Sequence, residues 1–165
     1  MTIAALALTK AAFKPFGEVI AADGLAGIAV NEARGLRFDT GAQLAHSTRA
    51  SEPVLALYRM RPSQAPFSVK LFEHHPHSAQ MFLPMSAARY LVIVAPRLPS
   101  GDPDISAVQV FVARADQGVI YAPGVWHVPL VALEADSTFA MMMFENGDGT
   151  DCVTHQLNTP LLISF

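Results

Sequence analysis

The stretch "FEHHPHSAQMFLP", Phe72 to Pro84, sets His74, His75 and His77 beside Glu73. About 50 residues later, "YAPGVWHVPL" carries His127 behind a Pro123–Gly124 bend. Imidazole titrates near neutrality and is a common ligand of divalent metals. Histidines grouped with a carboxylate therefore permit acid–base chemistry, a metal centre, or both.

Strand parity sorts the first cluster, because successive side chains of a strand point to opposite faces. Val69, Leu71, Glu73 and His75 share one face, while Lys70, Phe72 and His74 share the other. The apolar partners make the Glu73/His75 face the expected interior. His77 keeps that parity if the strand carries through Pro76, and His-x-His pairs of this kind can reach one metal. Gln80 follows after a short turn and adds an amide. His74 is expected to point outward in a structural or interface role. In the second stretch, Gly118 and Gly124 let the backbone turn tightly before a strand that aims His127 inward. Trp126 has the opposite parity and is expected to pack.

These residues need strands to hold them, and the rest of the chain supplies strand-like runs. "PVLALYRM", "FSVKLFEH", "RYLVIVAP", "AVQVFVA" and "TFAMMMFE" alternate with turn-forming clusters such as "RPSQAP", "RADQG" and "ENGDGTD". Many short strands at this spacing predict an all-β sandwich or barrel. One short N-terminal helix is expected after Thr9, whose side chain can cap it, with Pro15 and Gly17 ending it. No repeat or linker divides the sequence, so residues 1–165 are expected to form a single domain.

Composition bounds the partners. The chain of 165 residues is 52% hydrophobic and only 15% charged, so apolar surface must be buried in a core or a subunit interface. A net charge of −3 without a Lys/Arg run argues against nucleic acid. No apolar run approaches a membrane span. The single cysteine, Cys152, suits a reducing compartment. A soluble cytoplasmic protein acting on a small molecule is the expectation.

The two histidine stretches together resemble the paired motifs of the cupin superfamily, small jelly-roll barrels with interior histidines from both motifs. Gln80 stands where cupins usually carry glutamate. Within the cupins, the chain resembles the ureidoglycolate lyase family, long called ureidoglycolate hydrolase. The resemblance rests on "LTKAAFKPFGEVI", "VNEARGLRF", "LYRMRP", "EHHPHSAQMFLPM", "YLVIVAP" and "PDISAVQVFVARADQGVIYAPGVWHVPLVAL". The tail "FENGDGTDC" looks like that of fungal members. His77 and Val128 depart from the usual bacterial pattern, which has leucine at the first position and histidine at the second.

The resemblance implies a cupin-type jelly-roll barrel, an associating homodimer, and cleavage of ureidoglycolate to glyoxylate and urea in allantoin and purine breakdown. Such an elimination needs a base for the hydroxyl proton, an acid for the departing nitrogen and a cation for the carboxylate. His75 and His127 are the base and acid candidates, with Glu73 orienting His75 or serving as the base. Gln80 can bond the urea amide. Arg59, in "LYRMRP", shares its parity with Leu55 and Leu57, which fits an inward face and a solvated strand end equally well; its match to the family's arginine is what implies that it clamps the carboxylate. Tyr121 is a further candidate for lining the pocket. His75, His77 and His127 would hold a divalent ion such as nickel, zinc or manganese if one is bound, and no organic cofactor is expected. Two alternatives stay open: another metal-dependent cupin enzyme, and a cupin that binds a small acid or sugar without catalysis.

Overall fold

The last long apolar run shows how the barrel is built. Along Ser137–Glu145, buried Ser137, Phe139, Met141 and Met143 alternate with half-buried Thr138, Ala140 and Met142. That period of two is what a strand needs when one face meets a core. The computed structural model describes residues 2–165, and nearly all of its regular structure is strand.

In chain order the strands are β1 (Thr2–Ala4), β2 (Leu6–Ala7), β3 (Gly17–Ile20), β4 (Ile28–Val30) and β5 (Gly35–Arg37). Next come β6 (Glu52–Met60), β7 (Phe67–His74), β8 (Gln80–Ser86), β9 (Tyr90–Ala95) and β10 (Gln109–Ala113). The chain ends with β11 (Gly118–Tyr121), β12 (Trp126–His127), β13 (Val131–Ala132), β14 (Ser137–Glu145) and β15 (Val153–Ser164). One four-residue helix, α1 (Lys10–Phe13), lies between β2 and β3. The Thr9 side chain accepts a hydrogen bond from the Ala12 amide at 3.1 Å, as the N-cap reading requires.

An eight-stranded sheet runs β1-β15-β7-β12-β9-β10-β2, with β13 also against β9. A five-stranded sheet runs β3-β11-β8-β14-β6, and β4–β5 form a separate hairpin. The two larger sheets face each other as the halves of a cupin-type jelly-roll barrel. Phe13, Phe82, Val92, Val94, Phe111, Tyr121, Phe139 and Met141 fill the space between them. β9 is buried on both faces, as its unbroken apolar run "YLVIVA" demands. Its Leu91, Ile93 and Ala95 join Val69, Phe72, Trp126 and Ile163 in a second cluster outside the barrel. Val69 lies there with Phe72 despite its parity, next to a register shift between Gln156 and Leu161 in the β15–β7 pairing.

One face assignment is reversed. On β6, Leu55 and Leu57 are 73% and 66% exposed, and Arg59 is exposed with them. Val54, Ala56 and Met60 pack against the interior cluster instead. Both faces of this strand carry apolar residues, so parity had no contrast to work on.

Candidate active site

Sheet pairing joins the two histidine stretches directly. The short strand β12 inserts between β7 and β9, with His127 opposite Glu73 and Trp126 opposite Ala95. Directly opposed residues share a face, with Cβ atoms roughly 5 Å apart. Glu73 and His127 thus project into the barrel together, and Trp126 turns outward into the second cluster. His75, just past the end of β7, joins them. One ligand atom from each of Glu73, His75 and His127 can be chosen so that all lie within 4.8 Å of one another. From the facing sheet, Gln80 at the start of β8 pairs with Tyr121 on β11 and completes the cluster.

Each side chain is held differently. The His127 ring is 1% exposed and stacks on Tyr121, with centroids 4.1 Å apart and planes within 8°. Its Nδ1–H donates to the Val125 carbonyl at 3.0 Å. Its Nε2 lies 3.1 Å from Gln80 Oε1 and 3.5 Å from Glu73 Oε1. All three neighbours are oxygens able to accept a hydrogen bond. The Gln80 amide group points at Met143 Sδ, 3.7 Å away. Burial opposes charge on Glu73, but the hydrogen bond and charge of His127 outweigh it and hold the carboxyl below its ordinary range.

His75 is the contrasting member. Its Nδ1–H donates to the Asp151 carbonyl at 2.8 Å, which leaves Nε2 carrying the lone pair. That Nε2 is buried and, among the described residues, has no hydrogen-bond partner. Burial, and then the charge of His127, push the His75 ring below the ordinary histidine range and keep it neutral. A buried polar atom without a partner costs of order 1–3 kcal/mol. Such an atom is retained where something else is meant to meet it: a proton, a substrate or a metal. The donor set of two imidazoles and one carboxylate fits a divalent transition metal.

The remaining expected residues fall in other places. His77 is half-buried and stands outside the Glu73/His75/His127 group. Its carbonyl accepts a hydrogen bond from the Ser47 amide, because the chain bends at Pro76 and the strand parity ends there. Of the expected His75/His77/His127 set, the structure brings together His75 and His127, with Glu73 as the third group that could hold a metal ion and His77 outside it. Arg59 lines an outer cavity with Arg61, Asp136 and Thr138, so it does not clamp an interior carboxylate within its own subunit. Tyr121 is in place, but as the floor under His127 more than as a free pocket wall; burial pushes its hydroxyl well above the usual phenol range.

Three neighbours escaped the sequence reading. Tyr58, on the interior face of β6, has its hydroxyl pushed up by burial and by the charges of Glu73 and Glu145. The Cys152 thiol donates to Glu73 Oε2 at 3.8 Å, and burial raises it to about 11, with Glu73 adding to the rise. A thiol so raised is no nucleophile at neutral pH. Asp151 supplies the carbonyl that holds His75. The "FENGDGTDC" segment was visible as a motif, but nothing in it pointed to a residue far back in the chain.

A small β-barrel with interior histidines drawn from two separate motifs defines a cupin. The chain belongs to the ureidoglycolate lyase family, whose sequence profile matches residues 1–164. A ureidoglycolate lyase of Burkholderia mallei is 41% identical over 86% of this chain and 81% of its own length. One from Pseudomonas fluorescens is 34% identical over 90% of this chain and 87% of its own. Among solved structures, the RmlC epimerase of Mycobacterium tuberculosis aligns with a TM-score of 0.47 and 20% identity, over 87% of this chain and 69% of that one.

Proposed function

We propose that this chain is a carbon–nitrogen lyase that splits ureidoglycolate into glyoxylate and urea, a step of allantoin and purine breakdown. The observation that carries this reading is the buried Nε2 of neutral His75, unpartnered among the described residues, on a ring whose centroid is 5.5 Å from that of His127 and which groups with Glu73. In the elimination, His75 Nε2 takes the hydroxyl proton of the carbinolamide carbon, and a carbonyl forms there. The bond from that carbon to the ureido nitrogen breaks, and its electron pair stays on nitrogen. His127 delivers a proton to that nitrogen, releasing urea, while Glu73 stabilises the charge on His127 before transfer. Gln80 offers the urea group an amide acceptor and donor beside His127. The deciding assay is product analysis on ureidoglycolate: urea with glyoxylate supports the lyase, ammonia supports hydrolysis of the ureido carbon, and neither refutes the assignment.

The same three side chains support a second reading, exclusive of direct proton transfer by His75 and His127 because their Nε2 atoms would then be ligands: a divalent cation such as nickel, zinc or manganese. Glu73, His75 and His127 would hold it, and His77 would not. Bound there, such a cation supplies positive charge for the substrate's carboxylate and hydroxyl oxygens. Elemental analysis before and after chelation tests it; full activity in metal-free protein makes the site a purely organic acid–base one.

We also propose a homodimer formed through the outer face of the five-stranded sheet. Leu55, Met142 and Met81 lie on one cross-strand row, and Leu57, Ala140 and Leu83 on the next. Leu55 and Leu57 are exposed on β6, a nine-residue edge strand, and exposed Met85 flanks them on β8. An apolar face and an open edge of this length are an aggregation hazard unless a partner covers them. Sedimentation of a Leu55→Asp/Leu57→Asp variant should give monomers where the parent gives dimers. Cys152 is an exposed free thiol, which suits the cytoplasm.

A further inference from the structure

The segment between β14 and β15 contributes no member of the Glu73/His75/His127 group, yet consecutive residues of it grip two of the three. The Asp151 carbonyl accepts the His75 Nδ1–H at 2.8 Å, and the Cys152 thiol donates to Glu73 at 3.8 Å. The third member needs no such help, because His127 is fixed by Val125 within its own motif.

The segment is a closed turn. Both carboxylate oxygens of Asp151 accept the Asn146 amide, at 3.0 and 3.1 Å. Inside it, Asp148 accepts from the Thr150 amide and hydroxyl, and Asn146 Oδ1 accepts from the Asp148 amide. Gly147 and Gly149 take φ values of 75° and 80°, a region that other residues enter only at a cost. The Asp151 side chain thus ties the two ends of the turn together. Its own backbone carbonyl is thereby held against His75.

We propose that Asp151 is a positioning residue for His75: its carboxylate closes the 146–151 turn so that its carbonyl fixes the Nδ1–H tautomer and leaves Nε2 free inside the barrel. A neutral imidazole has two tautomers, and a second partner normally selects between them. Only the Nδ1–H form offers a base, or a ligand, at the buried position. The proposal rests on the site reading above but not on the identity of the substrate.

The test is a two-bond proton–nitrogen correlation spectrum of the histidine rings in chelator-treated full-length protein, above the titration range of His75. The parent should show His75 as the Nδ1–H tautomer. Asp151→Ala should show a mixture, with kcat on ureidoglycolate falling about tenfold or more and KM little changed, the scale seen when the support of a functional histidine is lost. Asp151→Asn keeps an acceptor for the Asn146 amide and should restore both the spectrum and the rate. Asp148→Ala, which loosens only the tip of the turn, should leave both unchanged. If Asp151→Ala fails to fold, Asn146→Pro removes the same hydrogen bond from its other end and should give the same mixture. A parent spectrum with the proton on Nε2, or a variant that folds, breaks the bond and keeps the pure Nδ1–H form, overturns the proposal. If the protein releases no urea, the ureidoglycolate reading fails, and the spectra still decide the role of Asp151.

Discussion

His74 and His75 are neighbours in sequence, both buried, and they meet opposite fates on the two sides of one sheet. His74 faces outward. Its ring packs edge-on against Trp126 with centroids 4.2 Å apart, and Arg97 Nη2 lies 3.2 Å from each of its ring nitrogens. Burial, and then the charge of Arg97, push it down to about 4. Both of its ring nitrogens thus have a neighbour in Arg97. His75 faces inward, has one nitrogen anchored and the other unpartnered, and meets a carboxylate and a second histidine. Burial alone does not make a functional histidine. The free buried atom with titratable company does.

The sharpest way to break this contrast is on the inner side. His127→Asn keeps a polar group of similar size and should leave the fold intact. Steady-state turnover should fall by roughly a hundredfold or more, the usual cost of losing a general acid or base. A variant with near-parental kcat would remove His127 from the proton path.

On the outer side the expected effect is on stability instead. The folded His74 titrates at about 4 against an ordinary value near 6.5, so the unfolded chain binds the proton more readily. The stability linked to His74 is therefore complete above about pH 6.5 and is lost as the pH falls toward about 4. His74→Phe retains the aromatic contact with Trp126 and removes the proton site. Thermal melts from pH 7 to pH 4 should show Tm falling less steeply in the variant than in the parent, with kcat at neutral pH little altered. An identical acid slope in the two proteins would mean that His74 is already solvated.

The smallest effect is expected at Arg59. With its side chain on the outer face beside Leu55 and Leu57, Arg59→Met should leave KM for ureidoglycolate within about twofold of the parent, the scale of an ordinary surface change. A large rise in KM, with the dimer intact, would show that Arg59 reaches a site after all, across a subunit boundary.

Much of this site was legible from residue order because strands impose a period of two. That rule separated Glu73 from Phe72 and His127 from Trp126; the sheet pairs His127 with Glu73, Phe72 and Trp126 lie in the outer cluster, and the rule failed at Val69, which lies there too. The barrel and the capped helix after Thr9 were legible for similar reasons: short apolar runs between turn residues, and a hydroxyl placed before the first helical turn. Two matters lay beyond local pattern. The interior face of β6 could not be chosen, because Val54 and Ala56 alternate with Leu55 and Leu57, and only packing against β14 and the barrel core separates them. The hold of Asp151 on His75 spans 76 positions. No spacing rule reaches that far; the contact exists because β15 pairs with β7 and carries the turn before it to the barrel mouth. Residue order determined which side chains could do chemistry and which way the β7 and β12 stretches point. Tertiary structure decided which of the candidates meet, and which nitrogen of His75 is left free.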